Sequence, residues 1–297
     1  MKPQQHSTAR RYLALIVFLV GGFCSAACDD TSSRLKSFDG LKAKADKGDA
    51  QAQFNLGVAY HNGEGVSRDY AQAVEWYRQA AAQGLARAQF NLGVAYHNGE
   101  GVSRDDAQAV EWMRLAAAQG DAQAQSNLGY AYYNGEGVPR DYAEAAKWYR
   151  QAAVLGLAQA QSNLGYAYQN GEGVPRDYAQ AVKWYQQAAV QGYAPAQFNL
   201  GLTYLEGTGV ARDDTEALKW VRKAAAQRLA AAQGTLGIIY ERGEKVPRDY
   251  VQAYMWFSLA AARGDARALK KLDQTETLLT PEQRAEAQKM AREWNPQ

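Results

Sequence analysis

An asparagine recurs every 36 residues in five consecutive copies, and its side-chain amide is suited to holding another polypeptide. We call this set the asparagine row, and its members are Asn55, Asn91, Asn127, Asn163 and Asn199. A carboxamide both donates and accepts hydrogen bonds, so a row of them can follow the backbone of an extended peptide. The alternative is that each asparagine serves the packing of its own repeating unit. The sequence leaves both interpretations open, and Thr235 ends the row.

A second row of asparagines follows seven residues later, two turns along the same stripe if these segments are helical. Its members are Asn62, Asn98, Asn134 and Asn170. Glu206 and Arg242 interrupt this row in the last two copies. Peptide binding is one interpretation. The other is that each asparagine only ends a helix, where this residue is common.

Positions that differ from copy to copy are candidates for specificity, since a graded binding surface would vary within a fixed frame. The first such position carries Val58, Val94, Tyr130, Tyr166, Leu202 and Ile238. The second carries His61, His97, Tyr133, Gln169, Leu205 and Glu241. Drift at tolerant positions would produce the same variation. We predict that Val58, Val94, Tyr130 and Tyr166 join the two asparagine rows in a peptide-binding surface.

Charged residues also recur, with an arginine and usually a glutamate in each connecting segment. The arginines are Arg68, Arg104, Arg140, Arg176, Arg212 and Arg248, and the glutamates are Glu64, Glu100, Glu136, Glu172 and Glu244. Such a rim could bind an anion. Alternating signs more simply predict local pairing and hydrogen bonds within the loops.

The residue types that catalysis or metal binding would need are not arranged for either. His61 and His97 occupy equivalent places in adjacent units, about 10 Å apart by helix-packing distances, which is too far to share one metal ion. Ser33 and Lys36 match the Ser-x-x-Lys motif of serine β-lactamases, but no companion motif accompanies them. We predict a protein that is not an enzyme and has no cofactor and no metal. A β-lactamase-like hydrolase is kept as an alternative.

Six tryptophans stand 36 residues apart and place the candidate residues in a repeating frame. They are Trp76, Trp112, Trp148, Trp184, Trp220 and Trp256. Self-similarity at this period indicates a solenoid, a stack of like helical units. The repeating segment divides without insertion or deletion into the blocks 49–84, 85–120, 121–156, 157–192, 193–228 and 229–264.

Each block predicts two helices joined by a glycine-rich turn, as in residues 50–62 and 70–83. Asp69, with Gln72 three residues later, predicts a capping box at the start of the second helix. Gly84 predicts a left-handed end to that helix. All six blocks keep the acidic N-cap, so we expect the same helix boundaries throughout.

Two blocks depart from the pattern at glycine positions. Arg228 stands where the other blocks end their second helix with glycine, so we expect a slightly strained turn there. Lys245 replaces the second loop glycine of the sixth block, which predicts a loop of different shape.

The first helix of each block has a glycine in its interior, which costs about 1 kcal/mol relative to alanine. These glycines are Gly57, Gly93, Gly129, Gly165, Gly201 and Gly237. Close approach of the paired helix, with a bulky aromatic ring across the missing side chain, would offset this cost. We expect the tryptophans to belong to this packing arrangement and to lie in the core.

The block pattern Ala-x-Ala-Gln-x-Asn-Leu-Gly-x-x-Tyr-x-x-Gly-x-Gly-Val-x-Arg-Asp, followed by Ala-x-x-Trp-Tyr-x-x-Ala-Ala, resembles the Sel1-like repeat, a relative of the tetratricopeptide repeat. The resemblance implies an all-α fold, an α/α solenoid wound as a right-handed superhelix of six 36-residue helix-turn-helix units, with capping helices at both ends. It also implies a non-catalytic scaffold of the bacterial envelope that binds partner proteins or peptides on its concave face. A scaffold for an envelope glycan or peptidoglycan is the alternative.

The ends of the chain differ from the repeats. Residues 1–27 have the basic start, apolar run and small-residue end of a signal peptide. Cys28 follows Ser-Ala-Ala as in a bacterial lipobox and is a possible lipidation site, with ordinary cleavage or an uncleaved anchor as alternatives. Residues 28–48 predict a linker and an N-terminal capping helix. Residues 265–297 predict a partial seventh repeat and a C-terminal capping helix that Thr280 opens with a capping box.

Charge restricts the class of partner. The chain has 33 basic and 31 acidic residues, and three of the basic ones lie in residues 1–27, so the remainder has a net charge of −1. Such a body has no bulk attraction for nucleic acid or an anionic membrane. We predict a monomer in the periplasm or secreted medium that binds a protein or peptide of the cell envelope. Membrane contact would come only from an N-terminal lipid or an uncleaved signal.

Overall fold

The computed structural model describes residues 31–243 and 246–295, and it describes side chains from Phe38 onward. Every regular element in these ranges is an α-helix, and they contain fifteen. The helices are α1 Thr31–Ala45, α2 Ala50–Asn62, α3 Tyr70–Ala82, α4 Ala86–Asn98, α5 Asp106–Ala118, α6 Ala122–Asn134, α7 Tyr142–Val154, α8 Ala158–Asn170, α9 Tyr178–Val190, α10 Ala194–Glu206, α11 Asp214–Ala226, α12 Ala230–Arg242, α13 Tyr250–Ala261, α14 Ala266–Glu276 and α15 Pro281–Glu293. Six helix-turn-helix pairs, α2–α3 through α12–α13, therefore follow α1, as the 36-residue period predicts.

The described residues form two compact units. The N-terminal unit comprises 31–160 with 172–174, and the C-terminal unit comprises 161–171 and 175 onward. Within the N-terminal unit α3 packs on α4 and α5 on α6, and within the C-terminal unit α9 packs on α10 and α11 on α12. Each pair of helices thus lies against the next pair in its own unit. None of the helices in the described ranges is both long enough and apolar enough to span a membrane.

The predicted N-caps of the second helices are confirmed. The Asp69 carboxylate accepts the backbone N–H of Gln72 at 3.0 Å, and the five equivalent aspartates cap in the same way. A complete capping box has a second hydrogen bond, from the backbone N–H of the N-cap residue to the side chain three residues later. These six sites lack that second bond. The reason is that the Asp69 N–H already donates to the Tyr60 carbonyl of the preceding helix at 2.9 Å, so it needs no glutamine.

The predicted helix ends are also confirmed. Gly63 ends α2 with φ of 76°, and Gly84 follows α3 with φ of 88°. Among the described residues, Arg228 is the one non-glycine residue with positive φ, at 65°. A side chain at that φ is strained by about 1 kcal/mol, which agrees with the turn expected there.

The glycine inside each first helix permits the close approach that the sequence predicts. A Cβ atom on Gly57 would lie 2.6 Å from two ring carbons of Tyr77, so the tyrosine ring occupies the space of the missing side chain. Other repeats place Met113, Tyr149, Tyr185, Val221 or Phe257 at this contact. The contact therefore accepts several large side chains of different shape.

The tryptophans do not belong to that contact, contrary to expectation. The ring over the glycine comes from the next position along the chain, which points about 100° away around the helix. Trp76 instead packs against Ala45 and Leu56, and Trp112 packs against the cluster that contains Tyr77. Most of the tryptophans are half-buried, and they pack at the edge of the contact between neighbouring helix pairs.

The loop of one repeat presses against the start of the second helix in the preceding repeat. A Cβ on Gly101 would lie 2.1 Å from the Tyr70 carbonyl oxygen, and one on Gly137 would lie 2.1 Å from the Asp106 carbonyl oxygen. These second loop glycines allow backbone to touch backbone between repeats. Lys245 and its loop neighbour Glu244 lie outside the described residues, so the predicted change of shape in the sixth loop stays a prediction.

Buried glutamines join consecutive repeats, a role that was not predicted from the sequence. The Gln89 amide donates to the Ala81 carbonyl at the end of the preceding helix at 3.2 Å and accepts from Gln119 at 2.8 Å. The pairs Gln53–Gln83, Gln161–Gln191 and Gln197–Gln227 repeat the second bond. The Ala81 carbonyl also accepts the backbone N–H of Gly84 at 2.9 Å, so the glutamine adds a second hydrogen bond at the helix end and links it to the next repeat.

One member of this series lacks its partner, and supplying it should stabilise the protein. Leu155 stands where Gln83 and Gln119 stand in other repeats, so the buried Oε1 of Gln125 accepts no hydrogen bond. Leu155 is 57% exposed and has the backbone conformation of Gln83. We expect Leu155→Gln to raise stability by about 1 kcal/mol, measured by thermal denaturation. Leu155→Glu, equally long but without the donor, is the control and should not stabilise.

Additional helices stand at both ends of the repeats. Phe38 and Leu41 of α1 pack against Ala45, Ala52 and Leu56. At the other end, Thr280 and Gln283 form the capping box that the sequence predicts for α15. Residues 1–30, which contain the predicted signal peptide and Cys28, lie outside the described residues.

Candidate functional site

The asparagine row becomes progressively buried through the N-terminal unit. Asn55 is exposed, Asn91 is half-buried and Asn127 is 7% exposed. In the C-terminal unit Asn163 is buried and Asn199 is half-buried. Identical residues at equivalent positions therefore have different access to a partner. A partner can reach the buried Asn127 and Asn163 side chains only where a pocket opens beside them.

Asn91 faces a tyrosine of the preceding repeat. The Tyr77 hydroxyl is buried and has no hydrogen-bond partner at normal geometry. Burial raises the pKa of Tyr77 to about 12; the nearby Asn91 amide opposes that rise and the Glu100 carboxylate adds to it. Asn91 is thus close to the hydroxyl without satisfying it. This tyrosine, absent from our predicted site, lies beside the predicted row.

A small pocket lies at Asn127, between the second and third repeats, and we call it the repeat-2 pocket. It has a volume of about 20 Å³, roughly the space of one water molecule. Its lining residues are His97, Asp106, Ala109, Val110, Met113, Asn127, Tyr130, Ala131 and Glu136. Asn127 and Tyr130 are members of the predicted peptide-binding surface, and the structure brings them together here.

The second repeat differs from the first at two positions that line this pocket. The first repeat has Tyr70 and Tyr77 where the second has Asp106 and Met113. Tyr77 lies across Gly57 and against Phe54, with 6.0 Å between the ring centroids. Replacing two phenol rings by a carboxylate and a flexible thioether leaves space beside Asn127. Sequence reasoning missed Asp106 and Met113, and the loss of both tyrosines was only a partial signal, because the fifth repeat loses them as well with Asp214 and Val221.

The polar wall of the pocket is organised around Asp106. Its carboxylate accepts from His97 Nδ1 at 2.8 Å and from Arg104 at 2.8 Å. Partial burial of Asp106 works to raise its pKa, but the hydrogen bonds from Arg104 and His97 outweigh burial and hold the pKa below its usual value. Asp106 is therefore an anion at neutral pH.

Tyr130 supplies a neutral polar group on the opposite wall. Burial and the charge of Glu136 raise the pKa of the Tyr130 phenol, and Asn134 partly opposes the rise. The hydroxyl therefore keeps its proton at neutral pH and can donate or accept a hydrogen bond. The pocket thus combines an anion, a phenol, an amide and an apolar floor.

The repeated helix pairs recur in known proteins. A family model described as the Sel1 repeat matches residues 50–85, 86–121, 122–157, 158–193, 194–229 and 230–265. These segments form one continuous stretch over more than half of the chain. The chain belongs to the Sel1 repeat family. The family boundaries begin one residue later than the blocks counted from the sequence.

Many solved structures are similar to this chain, and two of them illustrate the likeness. A protective antigen present in uropathogenic Escherichia coli strains, displaying an SLR fold, is 40% identical with a TM-score of 0.76. The match covers 86% of this chain and 56% of that one, so this chain spans little more than half of that protein. A Sel1 repeat protein from Oxalobacter formigenes is 32% identical with a TM-score of 0.68, covering 78% of this chain and 97% of that one. No curated protein matches.

Within these Sel1 repeats, the second asparagine row is occupied by local bonds. Asn62 donates to Glu64 at 2.7 Å, Asn98 to Glu100 at 3.4 Å and Asn170 to the Tyr166 carbonyl at 3.0 Å. These amides already have partners near the ends of their helices. That use favours a structural role, and peptide binding by Asn62, Asn98, Asn134 and Asn170 stays a prediction.

The first variable position changes together with the residue one helical turn before it. Repeats 1 and 2 combine a phenylalanine with Val58 or Val94, whereas repeats 3 and 4 combine a serine with Tyr130 or Tyr166. The aromatic ring therefore moves by one turn along the helix. Val94 and Tyr166 are buried, while Val58 and Tyr130 are half-buried.

The second variable position pairs with the first residue of the following helix. His61 packs edge-on against Tyr70 at 5.1 Å between centroids, and His97 bonds Asp106. Tyr133 contacts Tyr142 with centroids 5.1 Å apart. In three repeats, the residue at this position contacts another residue of the same repeat. Packing within the repeat therefore explains the variation, and no ligand is needed.

The arginine row is paired locally, as predicted, but with different partners. Arg68 lies over the Tyr70 ring at 5.4 Å and Arg212 bonds Asp214 at 3.1 Å, two residues further along in both cases. Glu100 instead accepts from His61 of the preceding repeat at 3.3 Å. The arginines and glutamates therefore do not form one continuous anion-binding edge.

No group of His, Cys, Asp and Glu side chains in the described ranges could hold a metal ion. Ser33 and Lys36 fall in the first turn of α1, where the structure does not describe side chains. The described residues therefore give no support to a hydrolase active site.

Proposed function

We propose that this Sel1 repeat protein is an exported, non-catalytic scaffold that binds a protein or peptide partner. Binding would occur along the first helices of the repeats, through the asparagine row and the first variable position. The repeat-2 pocket lies on this surface, because Asn127 and Tyr130 are among its lining residues. In that role the chain acts as a monomer without cofactor, and its N-terminus is cleaved, lipidated at Cys28 or retained as an anchor.

The observation that supports the proposal is the state of Asn127. This side chain is 7% exposed, and it lines the repeat-2 pocket together with Tyr130 of the first variable position. A partner group that enters the pocket would therefore meet two of the residues predicted to bind a peptide. A peptide backbone or side chain supplies the donors and acceptors that such an amide needs.

A peptide is a better fit than a glycan. Sugar-binding surfaces use exposed aromatic faces for stacking. The tryptophans of these repeats pack between helices, and Trp76 and Trp112 belong to hydrophobic clusters. Export is supported by the composition of residues 1–27 and by the similar Escherichia coli protein, which is a protective antigen.

The test is photo-crosslinking in cells that naturally produce the protein. A benzophenone amino acid at Tyr130 should capture a discrete protein partner, because this side chain is half-buried at the pocket mouth. The control is the same probe at Glu111, an exposed residue of α5 outside the pocket. Adducts that contain only glycan, or equal capture at both positions, would contradict the proposal.

A further inference from the structure

We infer that α15 is a lid that closes over an apolar face of α13, is latched by Trp294, and opens as one unit while the repeats stay folded. Both helices belong to the C-terminal unit, and the lid is separate from the proposed peptide-binding surface on the first helices. Three observations support it: the side chains that α13 presents to α15, the small buried part of α15, and the contacts that hold α15 in place.

The second helix of the sixth repeat, α13, has apolar side chains where the other second helices are exposed to water. Met255 and Leu259 lie at two such positions and are 4% and 8% exposed. The equivalents of Met255 are all charged and exposed, namely Glu75, Glu111, Lys147, Lys183 and Lys219. Those of Leu259 are exposed as well, namely Gln79, Leu115, Gln151, Gln187 and Lys223. The helix α13 contains no charged residue, unlike the other five second helices.

The helix that covers this face is α15. Both α3 and α11 pack against the first helix of the next repeat, yet Glu75 and Lys219 on them stay exposed. The helix α13 packs against α14 in the same way and against α15 in addition. The additional helix therefore accounts for the burial of Met255 and Leu259. Their apolar surface stabilises the closed lid and would face water if the lid opened.

The lid itself has a narrow apolar face. Ala287 is the one buried residue of α15, and Arg284, Ala291 and Trp294 are half-buried. These four positions follow one another at intervals of three or four residues, which is the spacing of one helix face. Most of the other side chains in α15 are polar and exposed. A segment with so few buried apolar contacts opens at a lower free energy than the core of the protein.

Two polar contacts attach α15 to the helices before it, and both are weak. Gln288 Nε2 donates to the Tyr254 hydroxyl of α13 at 3.5 Å, which is long for a hydrogen bond. Arg284 pairs with Glu276 at the end of α14, where the two side chains are 41% and 39% exposed. Ion pairs with this exposure contribute little to stability. Polar contacts alone therefore do not keep the lid closed.

An aromatic contact provides the latch. The Trp294 ring lies edge-on to Trp256 of α13, with 5.7 Å between the centroids and 72° between the planes. Edge-to-face pairs of this kind add to the stability that area burial gives. Trp294 is the residue at which α15 ends, and the Thr280 capping box fixes the other end of the helix. Because α15 is held at both ends, we expect it to open as a whole.

Hydrogen exchange of the full-length protein, followed by mass spectrometry of overlapping peptides, tests the lid. After correction for intrinsic rates, the amides of α15 should exchange at least about tenfold faster than those of α13, and at one common rate. Simple fraying of a chain end would instead give rates that rise steadily toward the last residue. Such a steady rise, or equal rates in α13 and α15, would overturn the lid.

Variants of Trp294 test the latch. Trp294→Ala should speed exchange in α15 at least about tenfold further, because it removes a half-buried aromatic side chain, and exchange in α11 should not change. Trp294→Phe keeps a ring beside Trp256 and should have a smaller effect, which still tests the latch if the alanine variant leaves α15 wholly unprotected. Glu286→Gln, at an exposed position of α15, is the control and should change nothing. Unchanged exchange in Trp294→Ala would show that Trp294 is not the latch.

A double variant of α13 tests the face under the lid. Met255→Lys with Leu259→Lys gives α13 the residues that α11 has at Lys219 and Lys223. We expect α15 to lose its protection while α11 and α13 keep theirs. If α15 stays protected, other contacts hold it, and if α11 and α13 also lose protection, the face belongs to the core of the repeats; either result would overturn the lid. These measurements follow backbone amides, so their outcome does not depend on the crosslinking result at Tyr130.

Discussion

Replacing Gly101 with alanine is expected to destabilise the protein by about 3 kcal/mol or more, because two separate costs add. The residue has φ of 72°, where a side chain is strained by at least about 1 kcal/mol. The new Cβ would also lie 2.1 Å from the Tyr70 carbonyl oxygen and 2.7 Å from the Ala71 amide nitrogen. Both are backbone atoms of the preceding repeat, so they cannot move aside as a flexible side chain could.

A matched variant isolates the contact from the backbone conformation. Gly120 has φ of 86°, but nothing lies within 4 Å of the position its Cβ would take. Gly120→Ala should therefore lose only the conformational part, about 1 kcal/mol. Urea denaturation of both variants measures the difference. Equal losses would show that the loop moves away from the neighbouring repeat at little cost.

The spacing of residues was enough to predict the helices. N-caps such as Asp69 and helix-ending glycines such as Gly84 act on backbone groups within a few residues, so local sequence determines them. The strained turn at Arg228 was predictable for the same reason. The missing half of the capping box was not, because the Asp69 N–H bonds the carbonyl of Tyr60 nine residues earlier.

Contacts between repeats were harder to predict, since the period says which residues recur and not which ones meet. Gln89 belongs to the recognised repeat pattern, yet only the structure shows that it joins the end of one helix to a glutamine thirty residues later. The tyrosine over Gly57 illustrates the same limit. The tryptophan recurs more regularly, so we expected it at this contact, but the ring that packs over Gly57 belongs to its neighbour Tyr77.

The candidate site shows why an invariant row is weak information about binding. Asn55 and Asn127 are the same residue in the same frame, but one is exposed and the other nearly buried. What distinguishes Asn127 is its surroundings, where Asp106 and Met113 replace tyrosines and open the pocket. Function is therefore better sought where a repeat departs from the others than where all repeats agree.

Replacing Gly57 with alanine is expected to destabilise the protein by about 2 kcal/mol, although alanine is the better helix former by about 1 kcal/mol. The new Cβ would lie 2.6 Å from two Tyr77 ring carbons and 3.1 Å from the Ala73 carbonyl oxygen. Tyr77 is 2% exposed and fully packed, so its ring can move only by displacing the core. Thermal and urea denaturation both measure the loss.

Gly93 provides the comparison, because methionine replaces tyrosine at the same contact. There the new Cβ would lie 3.0 Å from Met113 Cγ and 3.0 Å from the Ala109 carbonyl oxygen, and the thioether chain can adjust. Gly93→Ala should therefore cost at least about 1 kcal/mol less than Gly57→Ala. In a double-mutant cycle, Tyr77→Met should remove most of the Gly57→Ala penalty, giving a coupling energy above about 1 kcal/mol. A coupling near zero would mean that the tyrosine ring does not set the distance between the paired helices, and that the Ala73 carbonyl alone requires glycine at this position.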